Sequence, residues 1–109
     1  MPKPLRIAIT TGDPNGIGTE IVSKALARLR PKANVYFYLW RSKSCPQKFL
    51  RKIDQAFDRR VVHSWPEALQ TPHSSHKEII DICSQLPAAV WVEQSGKACL
   101  TGQLDAIAT

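Results

Sequence analysis

The segment from Thr10 to Glu20 is the part of this 109-residue chain best suited to bind a ligand. It reads Thr-Thr-Gly-Asp-Pro-Asn-Gly-Ile-Gly-Thr-Glu. Asp13 precedes a proline and is held extended, while the Asn15-Gly16 pair is typical of a turn with positive φ. Gly18 allows a helix to begin close to the preceding strand, and the free N–H groups of such a helix start attract an anion or the polar edge of a cofactor. The segment is therefore a candidate binding loop.

The spacing of the glycines matches neither of two common nucleotide-binding motifs. Gly12, Gly16 and Gly18 do not fit G-x-G-x-x-G, and the lysine that a phosphate loop of the form G-x-x-x-x-G-K-[ST] requires is missing after them. On the residues alone, a tight strand-to-helix turn without a ligand remains the alternative to a binding loop.

The histidines and cysteines favour structural roles. His73 and His76 have the spacing of metal ligands on one helical turn, and Cys83 would be a third ligand. Pro72 and the two serines between the histidines favour a surface loop instead, so we predict no metal site. The cysteines form an odd set without a Cys-x-x-Cys pair, which favours reduced thiols at Cys45, Cys83 and Cys99.

No residue is assigned a catalytic role. Asp13 is a candidate general base in the loop, although accepting backbone N–H groups is the more typical role of an aspartate there. His63 lies among apolar residues and is interpreted as a strand-end or partly buried histidine. The thiols have no neighbouring base in the sequence that would activate them.

The chain is basic, with 15 Lys and Arg against 9 Asp and Glu and a net charge of +6. Eleven of the basic residues lie between Lys24 and Arg60, a segment with two acidic residues and a net charge of +9. Such a segment attracts nucleic acid or phosphorylated ligands, but neither an RNA-binding pattern nor a helix-turn-helix pattern accompanies it. We interpret it as a solvated basic face; a nucleic-acid-binding or anion-binding module is the alternative.

The alternation of short apolar runs with helical stripes predicts an α/β fold, a mostly parallel sheet with flanking helices, in a single domain over 1–109. The predicted strands are 5–10, 35–40, 60–64 and 104–109, and the predicted helices are 18–30, 46–58 and 87–100. Residues 79–83 are interpreted as a further strand, and 65–76 as a loop or a single helical turn. The aromatic and β-branched strand 35–40 is expected at the centre of the sheet.

Spacing also predicts which helix faces are buried. The stripe expected to face the sheet from helix 18–30 consists of Ile21, Val22, Ala25, Leu26 and Leu29. The face expected to point away carries Ser23, Lys24 and Arg28. The stripe expected from helix 46–58 consists of Phe49, Leu50, Ile53, Ala56 and Phe57. The stripe expected from helix 87–100 consists of Ala88, Trp91, Val92, Ser95 and Cys99. Core or interface positions are expected for Trp40, Trp65 and Trp91.

The apolar runs are too short for a membrane span. The longest, Val35–Trp40, is far below the roughly 18 residues that a membrane helix needs. Residues 1–10 lack the apolar core and cleavage site of a secretory signal. We therefore expect a soluble, cytoplasmic chain with no membrane partner.

Two segments resemble the 4-hydroxythreonine-4-phosphate dehydrogenase family. Residues 12–21, Gly-Asp-Pro-Asn-Gly-Ile-Gly-Thr-Glu-Ile, are similar to the family's N-terminal Gly-Asp-Pro-x-Gly-Ile-Gly-Pro-Glu signature, with Thr19 where the family usually has proline. Residues 102–109, Gly-Gln-Leu-Asp-Ala-Ile-Ala-Thr, are similar to its later Gly-x-x-Asp-Ala-Ile/Leu-Val/Ala-Thr strand. Both matches occur at about the separation that the family shows, which makes the resemblance more specific than either motif alone.

The resemblance implies a partial isocitrate/isopropylmalate dehydrogenase-like fold. It also implies NAD- or NADP-dependent, metal-assisted oxidation of 4-hydroxythreonine 4-phosphate in pyridoxal phosphate (vitamin B6) biosynthesis. A sister dehydrogenase for another phosphorylated hydroxy acid would share the signature. The cofactor-binding residues that the resemblance implies are Gly12, Asp13, Asn15, Gly16 and Gly18. The ligands of the divalent metal and the substrate-binding residues are implied to follow position 109.

By the same resemblance, residues 1–109 are expected to be the N-terminal α/β segment of a longer two-domain dehydrogenase. That enzyme would act on a phosphorylated small molecule as a homodimer, with no nucleic-acid partner. The isolated chain is expected to be inactive. It is also expected to self-associate unless a partner covers the sheet edge and face left open at Thr109.

Overall fold

The computed structural model describes residues 3–12 and 17–109, which form five β-strands and four α-helices in alternation. The elements, in chain order, are β1 Leu5–Thr10, α1 Gly18–Leu29, β2 Val35–Ser42, α2 Gln47–Asp54, β3 Asp58–Val62, α3 Trp65–Leu69, β4 Glu78–Ser84, α4 Ala88–Leu100 and β5 Ala106–Ala108. Within the described ranges, no helix is long and apolar enough to cross a membrane.

All five strands are parallel and lie in the order β3-β4-β2-β1-β5. The predicted α/β class with a parallel sheet is confirmed, and β2 is the central strand, as expected. Its residue Leu39 pairs with Ile9 of β1 on one side and with Asp81 of β4 on the other. The strand predicted at 79–83 is β4, which separates β2 from β3.

Helices α1 and α2 cover one face of the sheet. The core on this face is formed by Leu26, Phe37, Leu39, Ile53, Phe57 and Ile79. In α2 the predicted stripe is confirmed, since Leu50 and Ile53 are buried. The helix ends at Asp54 rather than at residue 58 because Asp58 begins β3, where its N–H donates to the carbonyl oxygen of Lys77 at 2.9 Å.

The buried stripe predicted for α1 is partly wrong. Leu26 is buried, but Ala25 is exposed, as are Ile21 and Leu29, which are 55% and 41% exposed. Ser23, predicted to point away from the sheet, is fully buried, and its hydroxyl donates to the carbonyl oxygen three residues earlier at 2.8 Å. The difference arises because α1 lies near the sheet edge, where β5 has only three residues and leaves one flank of the helix uncovered.

Helices α3 and α4 cover the opposite face. Trp40 of β2 stacks between Trp65 of α3 and Trp91 of α4, with ring centroids 5.9 and 6.1 Å apart. None of the three residues is more than 7% exposed, which confirms the prediction that the tryptophans are core residues. Helix α3 is the single helical turn predicted as one alternative for residues 65–76.

The stripe predicted for α4 is partly correct. Trp91 and Ser95 are buried, but Val92 is 42% exposed, and Ala98 occupies the core instead. Val92 lines a cavity above the carboxyl ends of β1 and β5. The helix therefore presents an apolar side chain to that cavity rather than to the sheet.

The strand bounds differ from the prediction in several places. β2 continues to Ser42, and β4 is one residue longer at each end than predicted. β3 occupies Asp58–Val62 rather than 60–64, and β5 occupies Ala106–Ala108 rather than 104–109. Leu104 is not in the strand, because it is buried and its N–H donates to the carbonyl oxygen of Ala98 in α4 at 3.2 Å. The residues before β5 thus belong to the turn that ends α4.

A fully buried carboxylate, that of Asp81, lies in β4. It accepts hydrogen bonds from Arg41 of β2 and from Arg59 of β3. Arg59 also pairs with Asp54 at the end of α2, at 2.6 Å. The network ties the three strands β2, β4 and β3 together, and the sequence analysis did not single out any of its members.

Candidate functional site

A cavity of about 430 Å³ lies above the carboxyl ends of β1 and β5, between the amino ends of α1 and α4. Its lining residues are Thr10, Thr11, Gly12, Gly18, Ile21, Val22, Ala88, Ala89, Val92 and Thr109. In parallel sheets covered by helices, this end of the strands is where ligands bind. The candidate loop found in the sequence therefore borders a cavity of the expected kind.

Gly18 begins α1 in close contact with the residues that follow β1. A Cβ atom at this position would lie 2.0 Å from the carbonyl oxygen of Thr11, which no side chain tolerates. Thr11 is fixed in turn, since its hydroxyl and its backbone N–H both donate to the carbonyl oxygen of Trp40, at 2.9 and 3.1 Å. Only glycine allows α1 to begin so near to β1, which confirms the tight helix start predicted for Gly18.

Gly12 opens the loop with a φ of 75°, a left-handed conformation that favours glycine. A Cβ atom here would meet nothing within 4 Å. Gly12 and Gly18, two of the five residues implied to bind a cofactor, line the same cavity. The other three, Asp13, Asn15 and Gly16, lie outside the described residues.

The cavity offers hydrogen-bond donors and partial positive charge. Neither α1, which follows Ile17, nor α4, which follows Pro87, has a side chain that caps its amino end. Among the described residues, no side chain accepts the first N–H groups of either helix, and these groups carry the positive end of the helix dipole. Among the described lining residues, the polar side chains are the hydroxyls of Thr10, Thr11 and Thr109. This surface suits the anionic or polar edge of a ligand.

Glu20 is the described carboxylate nearest to the loop in sequence, and it does not line the cavity. It accepts a hydrogen bond from Nζ of Lys24 at 3.0 Å. This hydrogen bond and the charge of Lys24 hold the pKa of Glu20 below its ordinary value. A carboxylate with a lowered pKa is a weak general base. The described residues therefore form a binding wall without an acid or base.

The structure separates the side chains considered as metal ligands. Nε2–H of His73 donates to the carbonyl oxygen of Phe37 at 2.8 Å, near the amino end of β4, whereas Cys83 lies near its carboxyl end. Within the described ranges, no three His, Cys, Asp or Glu side chains are placed to hold a metal ion. His63 directly follows β3, so it lies at a strand end as interpreted, and it is exposed.

The positive charge is concentrated on one side of the sheet. Helices α1 and α2 together contain five Lys or Arg and two Asp or Glu, whereas α3 and α4 contain one Lys and two Glu. In α2 the basic residues Lys48 and Arg51 are exposed, while Leu50 and Ile53 face the core. The interpretation of the basic segment as a solvated face is therefore correct for Lys48 and Arg51 of α2, but not for Arg41 and Arg59, which pair with the buried Asp81.

Comparison with known proteins shows similarity to two proteins with the same name. No protein-family model matches the chain. A 4-hydroxythreonine-4-phosphate dehydrogenase from Sulfurihydrogenibium sp. (strain YO3AOP1) is 46% identical over 44 residues, which are 40% of this chain and 13% of that protein. A crystal structure of a 4-hydroxythreonine-4-phosphate dehydrogenase from Burkholderia phymatum matches 97% of this chain with a TM-score of 0.58 and 17% identity.

The resemblance to this family is therefore confirmed, by sequence over part of the chain and by fold along nearly all of it. The chain spans 36% of the solved relative. Because the identity to that structure is low, the match shows a shared fold rather than a shared set of site residues.

Proposed function

We propose that this chain is the N-terminal α/β segment of a two-domain dehydrogenase that oxidises 4-hydroxythreonine 4-phosphate in pyridoxal phosphate biosynthesis. The observation that carries the proposal is the 46% identity over 44 residues to a dehydrogenase of that name. A fold match along 97% of the chain with a second dehydrogenase of that name supports it. A sister dehydrogenase acting on another phosphorylated hydroxy acid is the close alternative.

In this proposal the cavity between α1 and α4 contacts NAD or NADP. Gly12 and Gly18 leave backbone groups open to the ligand, and the uncapped helix starts favour its phosphate oxygens. A nicotinamide held there would supply the hydride acceptor for oxidation at the hydroxyl-bearing carbon of the substrate. The described lining residues carry no ionisable side chain, so they bind and orient while another part of the enzyme removes the proton.

The described residues do not fit the divalent metal that the family implies, since no three potential ligands come together among them. We therefore assign the metal ligands to other parts of the longer enzyme and derive no step through the metal here. The same resemblance supports three further proposals: a phosphorylated small-molecule substrate, a homodimeric enzyme and a cytoplasmic location.

The proposal predicts that the isolated chain does not turn over substrate. The direct measurement is to incubate the purified chain with 4-hydroxythreonine 4-phosphate, a divalent metal and NAD, and to follow reduced cofactor by absorbance. No signal above a chain-free blank is expected, because the described cavity lacks an acid, a base and a metal site. Turnover would contradict the proposal and would indicate that Asp13 or a histidine of this chain acts as the acid or base.

Cofactor contact is tested separately by calorimetric titration with NAD and NADP. The Gly12→Ala variant places a methyl group at the cavity and should weaken binding. Gly102→Ala is a matched control, because Gly102 also has a positive φ, of 81°, and open space around it, yet does not line the cavity. Equal losses in both variants would point to backbone strain and contradict the cofactor assignment.

The chemical identity is tested with a chimera in which this chain replaces the matching segment of the Burkholderia phymatum dehydrogenase. The chimera should reduce NAD in the presence of 4-hydroxythreonine 4-phosphate. A chimera that folds and binds NAD but leaves this substrate unoxidised, while the parent enzyme oxidises it, contradicts the proposed substrate and favours the sister dehydrogenase.

One observation favours a second function. The charge difference between the α1–α2 side and the α3–α4 side suits a polyanion, such as nucleic acid. Such binding releases counterions and weakens steeply as salt rises, whereas cofactor contact by a neutral glycine loop does not. Gel-shift and NAD titrations repeated at low and high salt therefore separate the two functions.

A further inference from the structure

The tryptophans and tyrosines of this protein are gathered on one side of the sheet. Tyr36, Tyr38 and Trp40 alternate along β2 and therefore point to the same face. The other two rings reach that face from its helices, Trp65 from α3 and Trp91 from α4. These are all three tryptophans and both tyrosines of the sequence. Together the five rings form an aromatic relay, which plays no part in the proposed function.

The rings of the aromatic relay follow one another in direct contact. From α4 to the amino end of β2, their order is Trp91, Trp40, Trp65, Tyr38 and Tyr36. Neighbouring tryptophans are stacked, with ring centroids 6.1 and 5.9 Å apart, and the Tyr38 ring lies 5.3 Å from that of Trp65. The His73 ring bridges the tyrosines, 4.9 Å from Tyr38 and 5.0 Å from Tyr36. At these separations neighbouring π systems touch, so an electron can pass from ring to ring.

The opposite face of the sheet carries rings that are much harder to oxidise. Phe37 and Phe57 lie there in edge contact, with ring centroids 5.7 Å apart. Phenylalanine fills a core as tryptophan and tyrosine do, but it does not give up an electron under conditions in which an indole or a phenol does. Packing alone does not require this separation of ring types, whereas a path for electrons requires oxidisable rings in one series.

Two indoles of the relay are placed so that they keep their protons. Trp40 is 0% exposed and Trp91 is 1% exposed, and the Nε1–H group of each has no acceptor among the described residues. An indole is a donor only, so it can lose this proton only to a neighbouring acceptor. An oxidised indole that keeps the proton is a radical cation, which is a stronger oxidant than the neutral radical. It therefore takes an electron from the next ring.

The tyrosines are the end of the relay at which oxidation stops. A phenol releases its proton together with the electron, and the resulting tyrosyl radical is a weaker oxidant than an indole radical cation. Tyr36 is half-buried, whereas none of the three tryptophans is more than 7% exposed. Oxidation that begins at a core indole is thus favoured to end at a tyrosine near the surface.

We propose that the aromatic relay carries one-electron oxidising equivalents from the core to the tyrosines. An oxidising radical derived from oxygen takes one electron from an indole, and each oxidised ring then takes an electron from its neighbour. Tyr38 or Tyr36 supplies the last electron, releases its phenolic proton to water and becomes a tyrosyl radical. A soluble thiol returns one hydrogen atom to that radical and becomes a thiyl radical, which restores the protein. This activity is independent of the cofactor assigned to the cavity.

Laser photoionisation of the indoles tests the proposal in the purified chain, with an electron scavenger present to remove the ejected electrons. Transient absorption follows the tryptophan radical and the tyrosyl radical, whose absorption bands are separate. The first should decay as the second appears, at a rate that does not depend on protein concentration. Absence of a tyrosyl radical, or a rate of formation that rises with protein concentration, overturns the proposal.

A break in the relay decides whether the electron follows this path. Trp65→Phe keeps a buried ring but removes the described contact between an indole and a phenol, so formation of the tyrosyl radical should slow several-fold. Phe57→Leu is the matched control, because it removes a ring that is 3% exposed from the opposite face, and it should leave the rate unchanged. Equal slowing in both variants would indicate a general loosening of the core and would overturn the proposal.

Tyr38→Phe provides a second variant in case Trp65→Phe perturbs the fold. It removes one hydroxyl and keeps the ring against Trp65, and the tryptophan radical should live several-fold longer because the nearest phenol is gone. Tyr36→Phe should lengthen that lifetime less, since the described ring contact of Tyr36 is to His73 rather than to an indole. An unchanged lifetime in a folded Tyr38→Phe chain, or equal effects of the two variants, contradicts the assigned order of the relay.

Discussion

The guanidinium of Arg41 donates two hydrogen bonds to the carboxylate of Asp81, at 2.9 and 3.0 Å, and so joins the central strand β2 to β4. Arg59 donates to the same carboxylate at 2.6 Å from the other side. Asp81 is 0% exposed, and the Arg41 side chain is 8% exposed. Buried charges persist only when they are paired, so each member of this network depends on the others.

Removing the charge of Asp81 should therefore be costly. We expect Asp81→Asn to lower the free energy of unfolding by about 3 kcal/mol, because two guanidinium groups lose their shared carboxylate. Urea unfolding followed by tryptophan fluorescence measures the change. Asp54→Asn is the matched control, since Asp54 also pairs with Arg59 but its side chain is 42% exposed. It should cost below about 1 kcal/mol, and equal effects of the two variants would contradict the prediction.

Two glycine-to-alanine substitutions should have opposite effects on stability. Gly18→Ala forces a methyl group to within 2.0 Å of the Thr11 carbonyl oxygen and should lower the free energy of unfolding by about 1–3 kcal/mol. Gly96 lies inside α4 with nothing within 4 Å of an added Cβ atom. Gly96→Ala should raise stability by about 0.5–1 kcal/mol, as expected in a helix interior. Thermal or urea unfolding of both variants measures the change. An unchanged free energy of unfolding in Gly18→Ala would contradict the prediction and show that the backbone at Thr11 moves to make room for the methyl group.

The stability of the chain should fall in mild acid because of His73. Burial lowers the pKa of His73 below its ordinary value of 6.5, against the opposing effect of its hydrogen bond to the Phe37 carbonyl. The unfolded chain therefore takes up this proton more readily than the folded chain does. The contribution of neutral His73 to the free energy of unfolding is fully present above pH 6.5. It is lost as the pH falls from there through the lowered pKa of the folded state.

Unfolding free energies measured from neutral to mildly acidic pH test this prediction. In His73→Gln the slope of stability against pH should be smaller, because glutamine keeps an N–H donor but does not titrate in this range. His63→Gln, at an exposed position, should keep the slope of the unmodified chain. The same slope in all three proteins would exclude His73 as the source.

The flank of α1 that the structure leaves uncovered should promote self-association. An apolar groove of about 230 Å³ runs between α1 and β5, with Ala25, Leu29 and Ala108 among its lining residues. Of the described strands, β5 pairs with β1 alone, so its outer backbone groups are free to extend the sheet. We predict that a second copy of the chain covers this groove and edge.

Sedimentation velocity over a range of protein concentrations measures that association. Leu29→Lys should shift the population towards monomer, because it places a charge in the groove. Leu100→Lys makes the same change at a residue that is 88% exposed and does not line the groove, and it should have no effect. A monomer at every concentration, or equal dissociation by both variants, would contradict the assigned surface.

The sequence predicts the order of strands and helices because that order depends on local periodicity. Leu50 and Ile53 repeat at helical spacing and are buried, as expected. Ile21 and Ser23 exchange their expected environments because the rotation of α1 depends on how far the sheet extends beneath it, which its own spacing does not encode. The Asp81 network escapes prediction because its arginines lie 40 and 22 residues away in the chain.

The sequence predicts only the α1 side of the candidate site and not the α4 side. Gly12 and Gly18 can be recognised in the sequence because only glycine suits their positions. Gly12 has a positive φ, and Gly18 has no room for a Cβ atom. Ala88 and Val92 line the same cavity without such a signature. They reach it because the chain crosses from β4 to β5, and that crossing is a property of the topology rather than of any short segment.

The pairing of β1 with both β2 and β5 has a consequence for synthesis on the ribosome. Ile7 cannot pair with Ala106 until residue 106 has left the exit tunnel, and β3 has no neighbour in the sheet until β4 emerges and inserts beside it. Until then the nascent chain carries open strand edges, which favour aggregation. Cotranslational folding can complete the pair β1–β2 early, but the pairing of β5 with β1 waits for the crossover through α4, so the edge of β1 stays open until that crossover is made.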